Sequence, residues 1–493
     1  MQKKQTILVV ASLLVVVLSV TLAYFTAQII GKGKDVSVSS ADLKIIFTDS
    51  DGAISGSNIE PGWSDTKTFT VENNSKSEYK YNIVIKDLLN TFVTNGYLQY
   101  KITSTNGGYN MTEFKDVPKS SVATDTILAY SVVIPNGVTQ SYTIEFKYAN
   151  DESVDQSDDM GKKLSGKLFI TEGTEDPNKT LYNQLLADKS TLLTRTDFSK
   201  VLTDNNTKTL YTSTEDSKTV YYFAGNATDN WVKFGKNASN QDLYWRIIRT
   251  NSDGGVRLLY HGTSTTATDA YIRTSTFNSS YNNIAYVSYM YGNLGSVANA
   301  RENTTDSTIK TIIDNWYKDN LNTNYGKYLS TTAVYCNDRS TSDNAYFGAY
   351  TRLITNKTPS YDCAATEDKF TVDSTVGNGK LTYPIALMTA DEVSFAGGVY
   401  GTNAPTWYYY NSANGSSTGS TWWWLLSPNF WDGSRAGVFF VGGSSFPGSF
   451  SGDYVGNTGN VRPAISLKSC IKYSTGNGSA SDPYTIKETS SGC

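Results

Sequence analysis

One histidine, His261, carries the only imidazole in the 493 residues. Any Ser-His-Asp or Cys-His arrangement would have to pass through it. It follows an apolar strand pattern ending at Tyr260 and reads as a surface or strand-end residue. HExxH and GxxxxGKS/T patterns are missing from the sequence, so zinc-protease and phosphate-loop chemistry have no anchor. Glycoside hydrolysis needs only two carboxylates at the right separation, but no such pair stands out. The acidic stretches Asp49-Ser50-Asp51-Gly52 and Asp151, Glu152, Asp155, Asp158, Asp159 offer oxygen ligands. The first lacks the later bidentate Glu of a calcium loop. No cofactor is expected, and calcium is the one candidate. Four cysteines, Cys336, Cys363, Cys470 and Cys493, occur without any CxxC spacing, which speaks for disulfides over a zinc site. Three pairings are possible; the sequence-local one, Cys336 with Cys363 and Cys470 with Cys493, is the expectation.

Binding chemistry is better represented. Residues 421–467, TWWWLLSPNFWDGSRAGVFFVGGSSFPGSFSGDYVGNTGNVRPAISL, alternate large aromatics with Gly, Ser, Asn and Asp. Trp and Tyr give much contact area at low rotamer cost, and with Arg they dominate binding hot spots. Trp422, Trp424, Val438, Val461 and Arg462 are expected to be structural. The expected ligand-binding set is Asn429, Phe430, Trp431, Asp432, Arg435, Phe439, Ser445, Phe446, Phe450 and Tyr454.

Composition narrows what can hold these residues. Apolar residues are 39% and charged residues 18%, below the roughly 45–50% and 25% of ordinary domains. Lys plus Arg is 42 against 46 Asp plus Glu, a net charge of −4. That excludes a phosphate-driven nucleic-acid binder. Aromatic content of 13% excludes a disordered chain. Residues 36–172 alternate with period two: Leu43, Ile45, Phe47; Phe69, Val71; Tyr81, Ile83, Ile85; Leu98, Tyr100, Ile102; Tyr142, Ile144, Phe146, Tyr148; and Leu168, Ile170. Polar turns separate these runs, which predicts an antiparallel β-sandwich. A polar linker at 173–183 leads into an α+β domain over 184–493. There, helices are expected at 307–321, capped by Asp306 or Ser307, and at 389–396, where Thr389 and Glu392 have capping-box spacing.

The N-terminus carries Lys3 and Lys4 and then an apolar run over 7–25. Residues 1–23 read as a signal peptide cleaved after Ala23, or as an anchor extending to about residue 30. Either way the rest of the chain is expected outside the membrane, at the cell surface or beyond, in an environment that permits disulfides.

Two family resemblances follow from specific stretches. VTLAYFTAQ in the leader, IEPGWSDTKTFTVENNS (59–75) and DQSDDMGKKLSGKLFI (155–170) resemble the TasA/camelysin family of Gram-positive exported proteins. The resemblance implies a SipW-dependent signal peptide, a jelly-roll sandwich and self-assembly by an N-terminal strand. The metalloprotease activity ascribed to camelysin-type proteins is not carried over, because this part has no histidine. LYWRIIRTNSDGGVRLLY (243–260), STIKTIIDNWYKDNL (307–321), LTYPIALMTADEVSFAGG (381–398), WWWLLSPNF (422–430) and NVRPAISL (460–467) are similar to an uncharacterised domain of gut Firmicutes. That domain resembles the C-type-lectin-like fold shared with formylglycine-generating enzymes. The implied architecture is a jelly roll followed by a C-type-lectin-like display domain. The implied function is that of a surface or matrix protein binding a glycan or protein ligand, not an enzyme. A fibre-forming matrix subunit and a carboxylate-based glycan hydrolase are the alternatives.

Overall fold

Period-two alternation in the first third of the chain becomes two antiparallel sheets. The computed structural model describes residues 36–40, 43–49, 53–55, 59–111, 113–189, 191–204, 207–268, 270–341, 345–408, 410 and 422–493. The leader, its cleavage point and the segment after Ala23 lie outside the described residues. One sheet has six strands in the order Val36–Ser40, Leu43–Asp49, Ser64–Asn73, Thr139–Tyr148, Leu98–Ser104 and Lys115–Asp116. The other has four, in the order Ala53–Ser55, Leu164–Glu172, Tyr79–Asn90 and Ser120–Ile134. Phe69, Val71, Tyr142, Ile144 and Phe146 of the first sheet share one core with Tyr81, Ile83, Ile85, Leu168 and Ile170 of the second. These are the residues the alternation assigns to buried faces. Leu98–Ser104 and Thr139–Tyr148 bury every second residue, whereas Tyr79–Asn90 is buried at five positions in a row, Tyr81–Ile85. Phe69 stacks on Tyr142 at 4.6 Å, a cross-strand pair set by the register of Ser64–Asn73 against Thr139–Tyr148.

The chain divides into two compact units, Met1–Pro177 and Asn178–Cys493. Gly173 N donates to Lys80 O at 2.9 Å and Thr174 N to Asn82 Oδ1 at 3.0 Å, so these two residues stay with the sandwich. Thr180 already belongs to the second unit: its hydroxyl accepts from Asn183 N and caps the helix Leu181–Asp188.

The second unit holds a ten-stranded mixed sheet and a five-stranded sheet over one large core. The hairpin signal at residues 252–255 joins Asp242–Thr250 to Val256–Gly262, which pair antiparallel. Both expected helices form. Thr308–Asn320 is capped by Ser307, whose Oγ accepts from Lys310 N at 3.2 Å, and it buries Ile309, Ile313 and Tyr317. Ala390–Phe395 opens with the reciprocal Thr389–Glu392 capping box. The fold is mainly β, 39% strand against 14% helix.

Cysteine pairing is sequence-local: Cys336 with Cys363 and Cys470 with Cys493, at Cα separations of 5.7 and 5.5 Å. Disulfides fit an oxidising, extracytoplasmic compartment. Among the described residues no helix is long and apolar enough to cross a membrane.

Glu392 does more than cap its helix. Its Oε1 accepts from Arg249 Nε at 3.0 Å and from Arg257 Nη1 at 2.8 Å, and all three side chains are nearly inaccessible. Arg249 also reaches Glu215 Oε1 at 2.7 Å. Burial alone would raise the Glu215 carboxyl; Arg249, by charge and hydrogen bond, outweighs it and brings the group down to about 2. This stabilisation is complete above the ordinary value of 4.5 and is lost as pH falls through about 2. Urea midpoints measured at pH 7 and pH 2.5 should therefore fall further for the wild type than for Glu215→Gln. Glu392→Ala leaves two guanidiniums buried beside a missing carboxylate and should cost on the order of 3–5 kcal/mol, read as a lowered urea midpoint at pH 7.

Candidate binding face

The five-stranded sheet runs Arg273–Thr276, Thr458–Val461, Trp423–Trp431, Ala436–Val441, Phe450–Tyr454. Its central strand, Trp423–Trp431, is buried for seven residues and emerges only at Phe430 and Trp431. Both faces of the sheet are covered, so alternation along its strands does not produce a solvent side. This corrects part of the expected binding set. Phe439 and Phe450 are fully buried, packed on each other at 5.9 Å and against Tyr400 at 6.1 and 6.0 Å. Asn429 is interior as well, lying under Gly452 with its carbonyl accepting from Phe347 N. Trp424 is buried as expected; Trp423 joins it, and Trp422 is only half-buried.

The exposed members separate into two groups. Register pairs Trp431 with Ala436 at one end of the sheet and Val441 with Phe450 at the other. Ser445 and the exposed Phe446 lie in the turn at that second end. Five residue steps along Ala436–Val441, at about 3.4 Å each, put roughly 17 Å between the two ends. Ser445 and Phe446 are therefore not part of one patch with Asp432 and Arg435.

The first end is a built surface. Asp432 Oδ1 accepts from Ser434 N at 2.9 Å, Ser434 Oγ at 2.9 Å and Arg435 N at 2.7 Å, while Oδ2 accepts from Arg435 Nε at 3.1 Å. Partial burial pushes the Asp432 carboxyl up, and these hydrogen bonds and the Arg435 charge bring it down to about 2. The same carboxylate aims Arg435, whose guanidinium lies 3.9 Å over the Tyr454 ring, within cation–π range. Phe430 meets Tyr454 edge-on at 5.5 Å. Phe430 lies across Gly437, where an added Cβ would collide with the ring. Trp422 lies across Gly459 in the same way. Glycines alternate with aromatics here because they seat the rings.

Sequence reasoning missed three members. Trp431 N donates to Ala345 O at 2.8 Å, and Phe430 bridges to Tyr346. This strap brings Tyr346 and Tyr350, stacked at 3.8 Å, beside the hairpin, with Tyr400 edge-on to Tyr350 at 5.9 Å. All three are half-buried. The four-residue spacing of Tyr346 and Tyr350 is the only sequence signal that marks them.

A second concave place is a polar cavity lined by Cys336, Arg249, Arg257, Arg352, Asp391 and Glu392 among others, Asp338 included. Arg352 binds Asp391 through two bonds, at 3.0 and 2.8 Å, and also Asp338. Every guanidinium lining it is paired with a carboxylate. His261 is not a surface residue: within the strand Val256–Gly262 it is fully buried, edge-on to Trp231 at 4.4 Å.

The acidic run turns its carboxylates onto its own chain. Asp151 caps Ser153, Asp155 caps Ser157, and the buried Asp159 accepts from Val93 N, Thr94 N and Tyr148 Oη. Among the described residues, three His, Cys, Asp or Glu side chains do not converge anywhere as a metal would need.

No family model, curated protein or solved structure matches this chain. Gly437→Ala should push the Phe430 ring off its seat, at about 1–3 kcal/mol for forced repacking, seen as loss of the Phe430–Tyr454 ring contact by NMR.

Proposed function

We propose that this is an exported surface or matrix protein that binds a glycan or protein ligand through the Phe430–Arg435 end of its second unit. The observation that carries the reading is the locked Asp432–Arg435–Tyr454 group, flanked by Phe430, Trp431, Tyr346 and Tyr350. Aromatic rings held half-exposed on strand ends lose little entropy on binding. A guanidinium pinned over a ring keeps donors for a hydroxyl, carbonyl or carboxylate. In this reading the second unit is a lectin-like scaffold that presents a ligand, and the first is a jelly roll of the TasA kind that anchors or polymerises it. Binding fits better than hydrolysis: Asp338, Asp391 and Glu392, the carboxylates at the cavity, are each engaged by an arginine. A membrane contact would come only from the leader, and nucleic acid is not a partner in this reading.

A fibre subunit is the second reading, favoured by one observation. Among the described residues, Val36–Ser40 is the outermost strand of its sheet and pairs only with Leu43–Asp49, and an open edge can template another chain. Deleting residues 24–40 should then abolish polymerisation, followed by electron microscopy.

The binding reading is tested by glycan and protein arrays with the full mature chain. Trp431→Ala and Arg435→Ala should each weaken the selected ligand at least tenfold, as hot spots of about 2 kcal/mol or more do. Phe446→Ala, at the other end of the sheet, should leave it unchanged. Full binding by the Trp431→Ala and Arg435→Ala proteins would remove this face as the site.

A further inference from the structure

Lys189 and Asp229 form an ion pair at 2.7 Å that is 5% and 6% exposed. The ammonium also donates to the Asp229 carbonyl at 3.1 Å and lies 3.4 Å from Tyr484 Oη. The rings of Phe223 and Tyr484 flank it at 5.5 and 5.7 Å. Tyr484 in turn donates to Asp188 Oδ2 at 2.7 Å. Asp229 Oδ2 accepts a second bond, from Lys208 N at 2.7 Å, whereas Oδ1 is buried with no hydrogen-bond partner. A buried ion pair with an orphaned oxygen is costly to keep, and an amide in its place carries no charge to desolvate.

The geometry points to a covalent modification: Lys189 and Asp229 condense to an intramolecular isopeptide bond. The Lys189 Nζ lone pair attacks Asp229 Cγ. The ammonium gives up two protons, and both end on Oδ1, which leaves as water with its bonding electron pair. One positive and one negative charge disappear together, and no oxidant or co-reactant is needed. Oδ2 stays as the amide oxygen and keeps its bond from Lys208 N, and the orphaned atom is gone. Tyr484 and Asp188 are positioned to relay the protons. Burial, reinforced by the hydrogen bond to Asp188, holds the Tyr484 phenol up and hence protonated.

The bond would close a loop of sequence separation 40. It would tie the end of the helix Leu181–Asp188 to a residue two positions before Trp231–Lys236, with the outer strands Thr191–Thr194, Thr209–Glu215 and Lys218–Tyr222 inside the loop. A cross-link restricts the unfolded chain as a disulfide does, and reductant does not open it.

The test is a tryptic map of the purified full chain after reduction and denaturation. Acylated Lys189 resists trypsin, so residues 180–195 should appear joined to residues 219–233, lighter than the two peptides by one water. Complete cleavage after Lys189, with residues 219–233 found only as a linear peptide, would overturn the proposal. Asp229→Ala should abolish the branched peptide; its persistence would show a different partner and equally refute the assignment. Tyr484→Phe and Asp188→Asn keep the local volume and should slow its appearance in freshly refolded protein on the order of a hundredfold, as loss of a proton relay does. Unchanged rates in both would refute the relay.

Discussion

Buried guanidinium groups hold the second unit together. Much of that unit is irregular backbone, and every carbonyl it buries needs a donor. Arg339, fully buried, donates to Met290 O, Ala300 O and Glu367 O and is neutralised by Asp368. Arg246 reaches Ala227 O and Tyr408 O, and Arg462 reaches Tyr260 O. Arginine suits this task because its five donors lie in a fixed plane that serves several loops at once. Its flat cation also packs on rings, as Arg246 does on Trp231 at 4.1 Å and Arg462 on Trp423 at 4.8 Å. Such groups are dear to bury and dearer to strand alone, so loops and arginines constrain each other.

The first unit solves the same problem differently. Its strands satisfy one another, and only the ends of the ladder need side chains. Asn73 donates to Ser77 O and Ile134 O, Asn82 to Glu172 O, and Asn90 to Val117 O. Neutral amides suffice where few carbonyls are left over, and a sheet of this kind needs no buried charge network to be specific.

The candidate face depends on both kinds of order. Its hairpin emerges from a strand buried on both sides, so its position is set by the core. Its tip is set locally by one carboxylate that accepts four hydrogen bonds. The Tyr346–Tyr350 strap is attached by backbone bonds to Asn429 and Trp431 and inherits the same rigidity. Stability beneath and exposure above are properties of one strand, divided between Asn429 and Phe430.

The two units differ in how much of them was legible from residue order. Period-two alternation located the core of the first unit, because strands such as Leu98–Ser104 and Thr139–Tyr148 bury every second residue. The helix start at Asp306 or Ser307, which the structure gives to Ser307, and the Thr389–Glu392 box were legible because capping is a contact between residues three apart. Sequence-local pairing of the cysteines was legible for the same reason of short range. By contrast, the inward turn of Phe439 and Phe450 was not, since a strand covered on both faces shows no period. Nor was the separation of Phe446 from Arg435, which register alone decides. The Tyr346 strap, the arginine–carbonyl contacts and the Lys189–Asp229 pair join residues far apart along the chain, and only folding brings them together. Local chemistry could therefore be read from neighbours, whereas the candidate face was decided by which distant surfaces covered which.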